Sequence, residues 1–271
     1  MKTLYFDLGM GAAGDMLTGA LLELMPDREA ALEQLNHLGL PHTQFSMERG
    51  SKCGISGTHI HVTVLGQEEQ PCQDEHQHEH HQEHHQEQEH GHRHDHGPEH
   101  HHSHTAMADI CQTVQTLSVS DAVKAQILGV YGRIAQAESQ VHGVPIDQIH
   151  FHEVGSLDAL ADITAVCYLL EQLAPEKIVA SPVQVGYGKI RCAHGILPIP
   201  APATAQILLG SPIRAGDIPG ELCTPTGAAL LRQFVSDFGP MPLMTVERIG
   251  YGLGQKDFPA ANCLRAMLGE S

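Results

Sequence analysis

Residues 67 to 104 cannot contribute to a core. They hold fourteen histidines, ten acidic side chains, one arginine and almost nothing apolar. A segment of that composition buries too little surface to offset the entropy of ordering it, so it is expected to be disordered. It divides the 271-residue chain into an N-terminal α/β part, 1–66, and a main α/β part, 105–271, with the insert at 67–104 between them. Neutral imidazoles at this density bind borderline divalent metals through many equivalent, loosely arranged sites, which reads as metal buffering or delivery. A plain solvated linker is the competing account.

The flanking stretches carry alternating helix and strand signals. TLYFDL (3–8) reads as a buried strand, and helices follow at about Asp15 to Met25 and Asp27 to Leu38. Gln44 to Leu65 reads as two antiparallel strands, with His59 and His61 on their exposed face. Helical periodicity returns over Thr105–Leu117 and Ser120–Val141, and a further helix runs from about Leu157 to Leu173. KIVASPVQVG reads as one strand, Ala203 to Leu209 as a helix, and the stretch from Arg248 to Arg265 as a glycine-punctuated strand. The fold class is α/β, a mixed sheet with flanking helices interrupted by the insert. Aromatic residues make up only 4% and Trp is absent, so the core has to be aliphatic.

A formal charge of −17 with no cluster of lysine and arginine argues against nucleic acid. The seven cysteines are scattered without a C-x-x-C pair, which fits reduced thiols in the cytoplasm. No apolar run approaches membrane-spanning length, and MKTLYFDLG leads into a strand rather than a signal peptide.

The densest chemistry lies in HFHEVGSLDALAD, residues 150 to 162. His150 and His152 are two apart and share a strand face, Glu153 follows, and Ser156 can cap a helix on which Asp158 and Asp162 are stacked. Nitrogen and oxygen donors in that mix suit nickel, zinc or manganese, against the plainer reading of histidines satisfied by carboxylates. GMGAAGD after the first strand reads either as a tight turn with Asp15 capping the next helix or as a loop offering backbone N–H groups to a phosphate, with Asp7 and Asp15 beside it. An acid there would repel a phosphate unless a cation lay between them. GYGKIRCAHGILPIPAPAT reads as a rigid loop displaying Lys189, Arg191, Cys192 and His194, whose cations would favour a Cys192 thiolate. Thr224 and Pro225 start a helix that presents Thr226 and free N–H groups to an anion. The metal candidates are therefore Asp7, Asp15, His150, His152, Glu153, Asp158 and Asp162. The ligand-binding candidates are Gly11, Gly14, Lys189, Thr224, Thr226, Gly252 and Gly254, and the catalytic ones His150, His152, Glu153, Cys192 and His194. Together they favour a phosphorylated ligand handled with a metal. A metal-dependent phosphohydrolase using Asp7, Asp15, Asp158 and Asp162 is a weaker reading.

Taken in order, FDLGMGAAGDML, the histidine-rich insert, HFHEVGSLDALADI, CAHGILPIPAPAT, TPTGAAL and GYGLGQKDFPAANCLR resemble the N-terminal portion of the LarC family of nickel-insertion proteins. The resemblance implies nickel insertion into pyridinium-3,5-bisthiocarboxylic acid mononucleotide, forming the nickel-pincer cofactor of lactate racemase. It also implies use of CTP with manganese or magnesium, at a site in a C-terminal region beyond the equivalent of Ser271. In some bacteria a frameshift splits the family's coding region, and this chain looks like the short product. Expected partners are the phosphorylated pyridinium dithiocarboxylate, nickel, a second copy of the chain, and the full-length or C-terminal family product. The alternative is a nickel-storage or metallochaperone protein without chemistry of its own.

Overall fold

Leu4, Phe6 and Leu8 are fully or almost fully buried and anchor β1 (Lys2–Asp7) in the middle of a sheet. The computed structural model describes residues 1–67, 105–151, 153–192 and 195–271, leaving aside the side chains of His150 and Glu153. The expected disorder of the insert, apart from Gln67, lies outside the described residues. After β1 come α1 (Gly14–Glu23), α2 (Arg28–Asn36) and the hairpin β2 (Thr43–Lys52) with β3 (Ile55–Val64). Beyond the insert stand β4 (Thr105–Ala106), α3 (Met107–Thr116), α4 (Asp121–His142), β5 (His150–Phe151) and α5 (Leu157–Leu173). Next are β6 (Lys177–Ala180), β7 (Val183–Gln184), the hairpin β8 (Gly186–Cys192) with β9 (Gly195–Ile199), and α6 (Pro202–Ile207). The chain finishes with β10 (Ile213–Arg214), β11 (Gly220–Glu221), α7 (Pro225–Phe234), β12 (Asp237–Phe238), β13 (Thr245–Leu253) and β14 (Cys263–Glu270).

The main sheet has seven strands in the order β12-β6-β1-β14-β13-β3-β2 and is mixed. β1 runs parallel to β6 and antiparallel to β14, while β13 is antiparallel to β14 and parallel to β3. Strands from before and after the insert interleave, because β1 sits between β6 and β14. The two flanks therefore build one sheet over one core. That core is mostly Leu, Ile, Val and Ala, as the shortage of aromatics requires. α1 packs on β13, β3 and α5, and α4 on α5, α6 and α7. No helix among the described residues is long and apolar enough to cross a membrane.

Three local expectations change. The stretch from Arg248 to Arg265 is two strands, β13 and β14, because the prolyl turn around Pro259 returns the chain antiparallel into the middle of the sheet. KIVASPVQVG breaks at Ser181–Pro182, so β6 joins the main sheet while β7 pairs with β10. The expected rigid loop is a β-hairpin, β8 with β9, whose alternating residues pair from Gly188 with Ile199 to Cys192 with Gly195.

The seat of α1 depends on glycines that lack a side chain at the contact. A Cβ on Gly252 would stand 1.8 Å from Met16 O, and one on Gly250 2.1 Å from Ala20 O. These glycines let the helix backbone lie directly on β13. Gly252→Ala should therefore cost about 3 kcal/mol or more, because two backbones must separate. Gly132→Ala lies within α4 with nothing within 4 Å of the added methyl. It should stabilise the fold by about 0.5–1 kcal/mol. Urea denaturation of both variants checks the contrast.

Candidate functional site

The loop after β1 determines where the site forms. Ala12 N donates to Leu222 O and Thr224 N to Ala12 O, both at 3.0 Å, stitching the residues before α1 to those before α7. Gly11 (φ +79°) and Gly227 permit this approach, since their Cβ atoms would meet Leu222 O at 1.9 Å and Ala12 O at 2.2 Å. α5 arrives from the other side, with Asp162 pressed so closely on Gly14 that a Cβ there would lie 2.2 Å from Asp162 Oδ2. The N-termini of α1, α5 and α7 thus converge.

Between them opens a cleft of about 270 Å³, at the carboxyl ends of β1 and β13. Its walls include Gly14, Asp15 and Met16 of α1, Ser156, Asp158 and Asp162 of α5, and Thr224, Pro225 and Thr226 of α7. Gly254, Gln255, Lys256, Phe258 and Asn262 close it from the loop between β13 and β14, with Glu221 alongside. Ser156 Oγ accepts from Ala159 N and Thr224 Oγ1 from Gly227 N, so α5 and α7 are capped at the cleft as their sequences suggest. α1 has no side-chain cap on Ala13 among the described residues.

Helix N-termini carry partial positive charge, yet the charged side chains lining this cleft are mainly acidic. Asp162 is buried at 9% exposure, and Asp15, Asp158 and Glu221 share the walls with Lys256 as the one lysine among them. Burial pushes the Asp15 carboxyl up to about 6, opposed by the Met16 N–H that donates to Oδ1 and by the charge of His61. Tyr131, fully buried, has a hydroxyl without a hydrogen-bond partner among the described residues. Burial first, and then the charge of Asp162, pushes the phenol well above its usual range. Such a pocket attracts an anion by its backbone and a cation by its carboxylates. Among the described residues no three His, Cys, Asp or Glu side chains already gather as a finished metal site.

The structure brings together Gly14, Asp15, Asp158, Asp162, Thr224, Thr226 and Gly254 from the predicted residues. Gly11 and Gly252 lie in packing contacts instead, against Leu222 and Met16. Asp7 is ion-paired with Arg265 at 2.5 Å across the β1–β14 pairing and does not line the cleft. Lys189 and Cys192 belong to the β8–β9 hairpin, also outside the lining. His152 and His194 lie outside the described residues, as do the side chains of His150 and Glu153. Their neighbours Val154 and Ser156 do line the cleft.

Glu221, Gln255, Lys256, Phe258 and Asn262 line the cleft without having a local motif that marks them in the sequence. Asn262 Nδ2 donates to Lys256 O at 2.8 Å and Asn262 O accepts from Gly254 N at 3.0 Å. Lys52 reaches the same loop from β2, donating to Gln255 O and Lys256 O and pairing with Asp257 at 2.6 Å. Resolving β13 and β14 as separate strands would have placed this turn at the site.

The Asp15 shift fixes the sign of a pH effect. Its carboxyl binds a proton more tightly folded than unfolded, so its contribution is present below the ordinary value of 3.8 and is lost as pH rises through about 6. Asp15→Asn should remove that slope and raise stability above pH 6. Urea midpoints for both proteins between pH 4 and 8 check it.

Comparison with known proteins gives one consistent answer. The family model described as "Nickel insertion protein" matches residues 4–271. The "Pyridinium-3,5-bisthiocarboxylic acid mononucleotide nickel insertion protein" of Geobacillus kaustophilus is 36% identical over 271 residues, covering 100% of this chain and 60% of the relative. Proteins of the same name from Desulfitobacterium hafniense and Clostridium kluyveri are each 38% identical over all of this chain, across 59% and 62% of their own lengths. The chain thus spans about 60% of the length of these curated relatives. No solved structure matches it.

Proposed function

The chain belongs to the nickel insertion protein family, and from that premise we propose that it takes part in inserting nickel into pyridinium-3,5-bisthiocarboxylic acid mononucleotide. The convergence of three helix N-termini on a cleft lined by Asp15, Asp158 and Asp162 carries this reading. The ligand's phosphate would meet the N-termini, with Thr224 and Thr226 at one of them. Nickel is the second substrate, and the aspartates would hold it or a companion cation against the phosphate. Forming a carbon–nickel bond requires loss of a proton from the pyridinium ring. We assign that proton to a base among His150, His152 and Glu153, which directly precede the cleft residue Val154 in sequence.

As a property of the whole protein, the activity is proposed to consume CTP with manganese or magnesium, a nickel chelatase-type lyase reaction in the cytoplasm. Partners are proposed to be a second copy and the full-length or C-terminal family product. The fourteen insert histidines favour a second reading, nickel storage or delivery without chemistry.

Replacing those histidines by serine separates the two. Nickel titrated calorimetrically into that variant should fill one site per chain. Asp158→Asn or Asp162→Asn in the same background should weaken the site by about tenfold or more, since each removes a charged oxygen ligand. Loss of all nickel binding with the histidines would favour storage.

A further inference from the structure

A second hollow, of about 220 Å³, opens among α4, α6 and α7 on the helical layer. Arg133, Gln136 and Gln140 of α4 line it, with Gln206 of α6, Leu209 just beyond α6 and Arg232 in the last turn of α7. None of the described residues lining it is acidic, although the chain carries 32 acidic residues against 15 basic ones. Glu138, the nearby carboxylate on α4, is engaged with His142 at 3.2 Å.

Arg133 is held in place rather than neutralised. Arg133 Nε donates to Gln233 Oε1 at 2.8 Å, and Gln233 Nε2 donates to Gln126 Oε1 at 2.6 Å. Gln233 lies against Gly129, where a Cβ would come within 2.8 Å of its Nε2, so α4 fixes the amide that fixes the guanidinium. One donor of Arg133 is thereby used for positioning, and its terminal amino groups remain for a ligand. Neither Arg133 nor Arg232 makes an ion pair with an acid among the described residues. On the opposite wall Gln206 Nε2 donates to Gln140 Oε1, adding ordered amides.

We propose that this hollow is an anion site, separate from the cleft, for a small phosphate-bearing molecule. Two guanidinium forks beside side-chain amides match the multiple oxygens of a phosphate or diphosphate better than a single carboxylate. The volume accommodates an anion of that size. α7 joins the two sites directly: Thr224 to Thr226 stand at the cleft and Arg232 at the hollow, about 10 Å along the same helix at 1.5 Å per residue.

The test follows the Arg133 Nε–H resonance by nitrogen-15 NMR while inorganic diphosphate, inorganic phosphate or acetate is titrated into the intact chain. Diphosphate should shift it saturably, phosphate more weakly, and acetate at equal concentration and ionic strength should not. Arg232→Gln should weaken diphosphate by about tenfold or more through loss of a charge-assisted fork. Leu209→Asp, at a position 62% exposed, leaves the core untouched and should weaken it comparably by placing a like charge in the hollow. An unmoved resonance, the same movement with acetate, or full affinity in both variants would overturn the site.

Discussion

Close backbone contact at residues 11 to 14 makes the cleft possible. Ala12 exchanges hydrogen bonds with the strand-like segment before α7. Gly14 accepts the Asp162 carboxylate against its Cα, and Gly11 and Gly227 leave no side chain in the way. The same logic extends outward, because α1 itself rests on Gly250 and Gly252 of β13. A methyl group at these contacts would separate a helix from its neighbour and open the place where three N-termini meet. Glycine here serves contact between backbones, and the cleft is a consequence of that packing.

The cleft also combines two opposite electrostatic preferences. Helix N-termini favour a negative guest, while Asp15, Asp158, Asp162 and Glu221 favour a positive one. A phosphate alone would meet the carboxylates, and a metal alone would meet the helix dipoles. A cation and an anion together satisfy both, and this is why the raised Asp15 carboxyl and the buried Asp162 are read as features of a two-component site. In the function we propose, the two guests are a nickel ion and a pyridinium mononucleotide.

Much of this could be read from the chain because the signals were local. Caps at Ser156 and Thr224, the aspartates at helical spacing, and the glycine turn after β1 depend on neighbours in sequence, and each forms as its residues suggest. What could not be read was set by distant pairing. β14 enters the middle of the sheet beside β1, the first strand, and the register that joins Asp7 to Arg265 removes Asp7 from the site. Gly252 and Gly254 look alike in sequence, yet Gly252 lies within β13 against α1 while Gly254 stands just past the end of the strand, at the cleft. Lys52 and Asn262 shape the β13–β14 turn through contacts that no short window contains.

On the function proposed, cation and phosphate occupy one cleft and support each other. The most direct measurement is the calorimetric affinity of a stable pyridine mononucleotide, nicotinate mononucleotide, with and without saturating magnesium. Cooperative occupancy predicts that the ion tightens binding by about tenfold or more and that Asp162→Asn abolishes the gain, as a reciprocal coupling between two ligands demands. Equal affinity in the presence and absence of the ion would contradict it, and would leave the carboxylates as packing groups around a site that takes neither guest through the other.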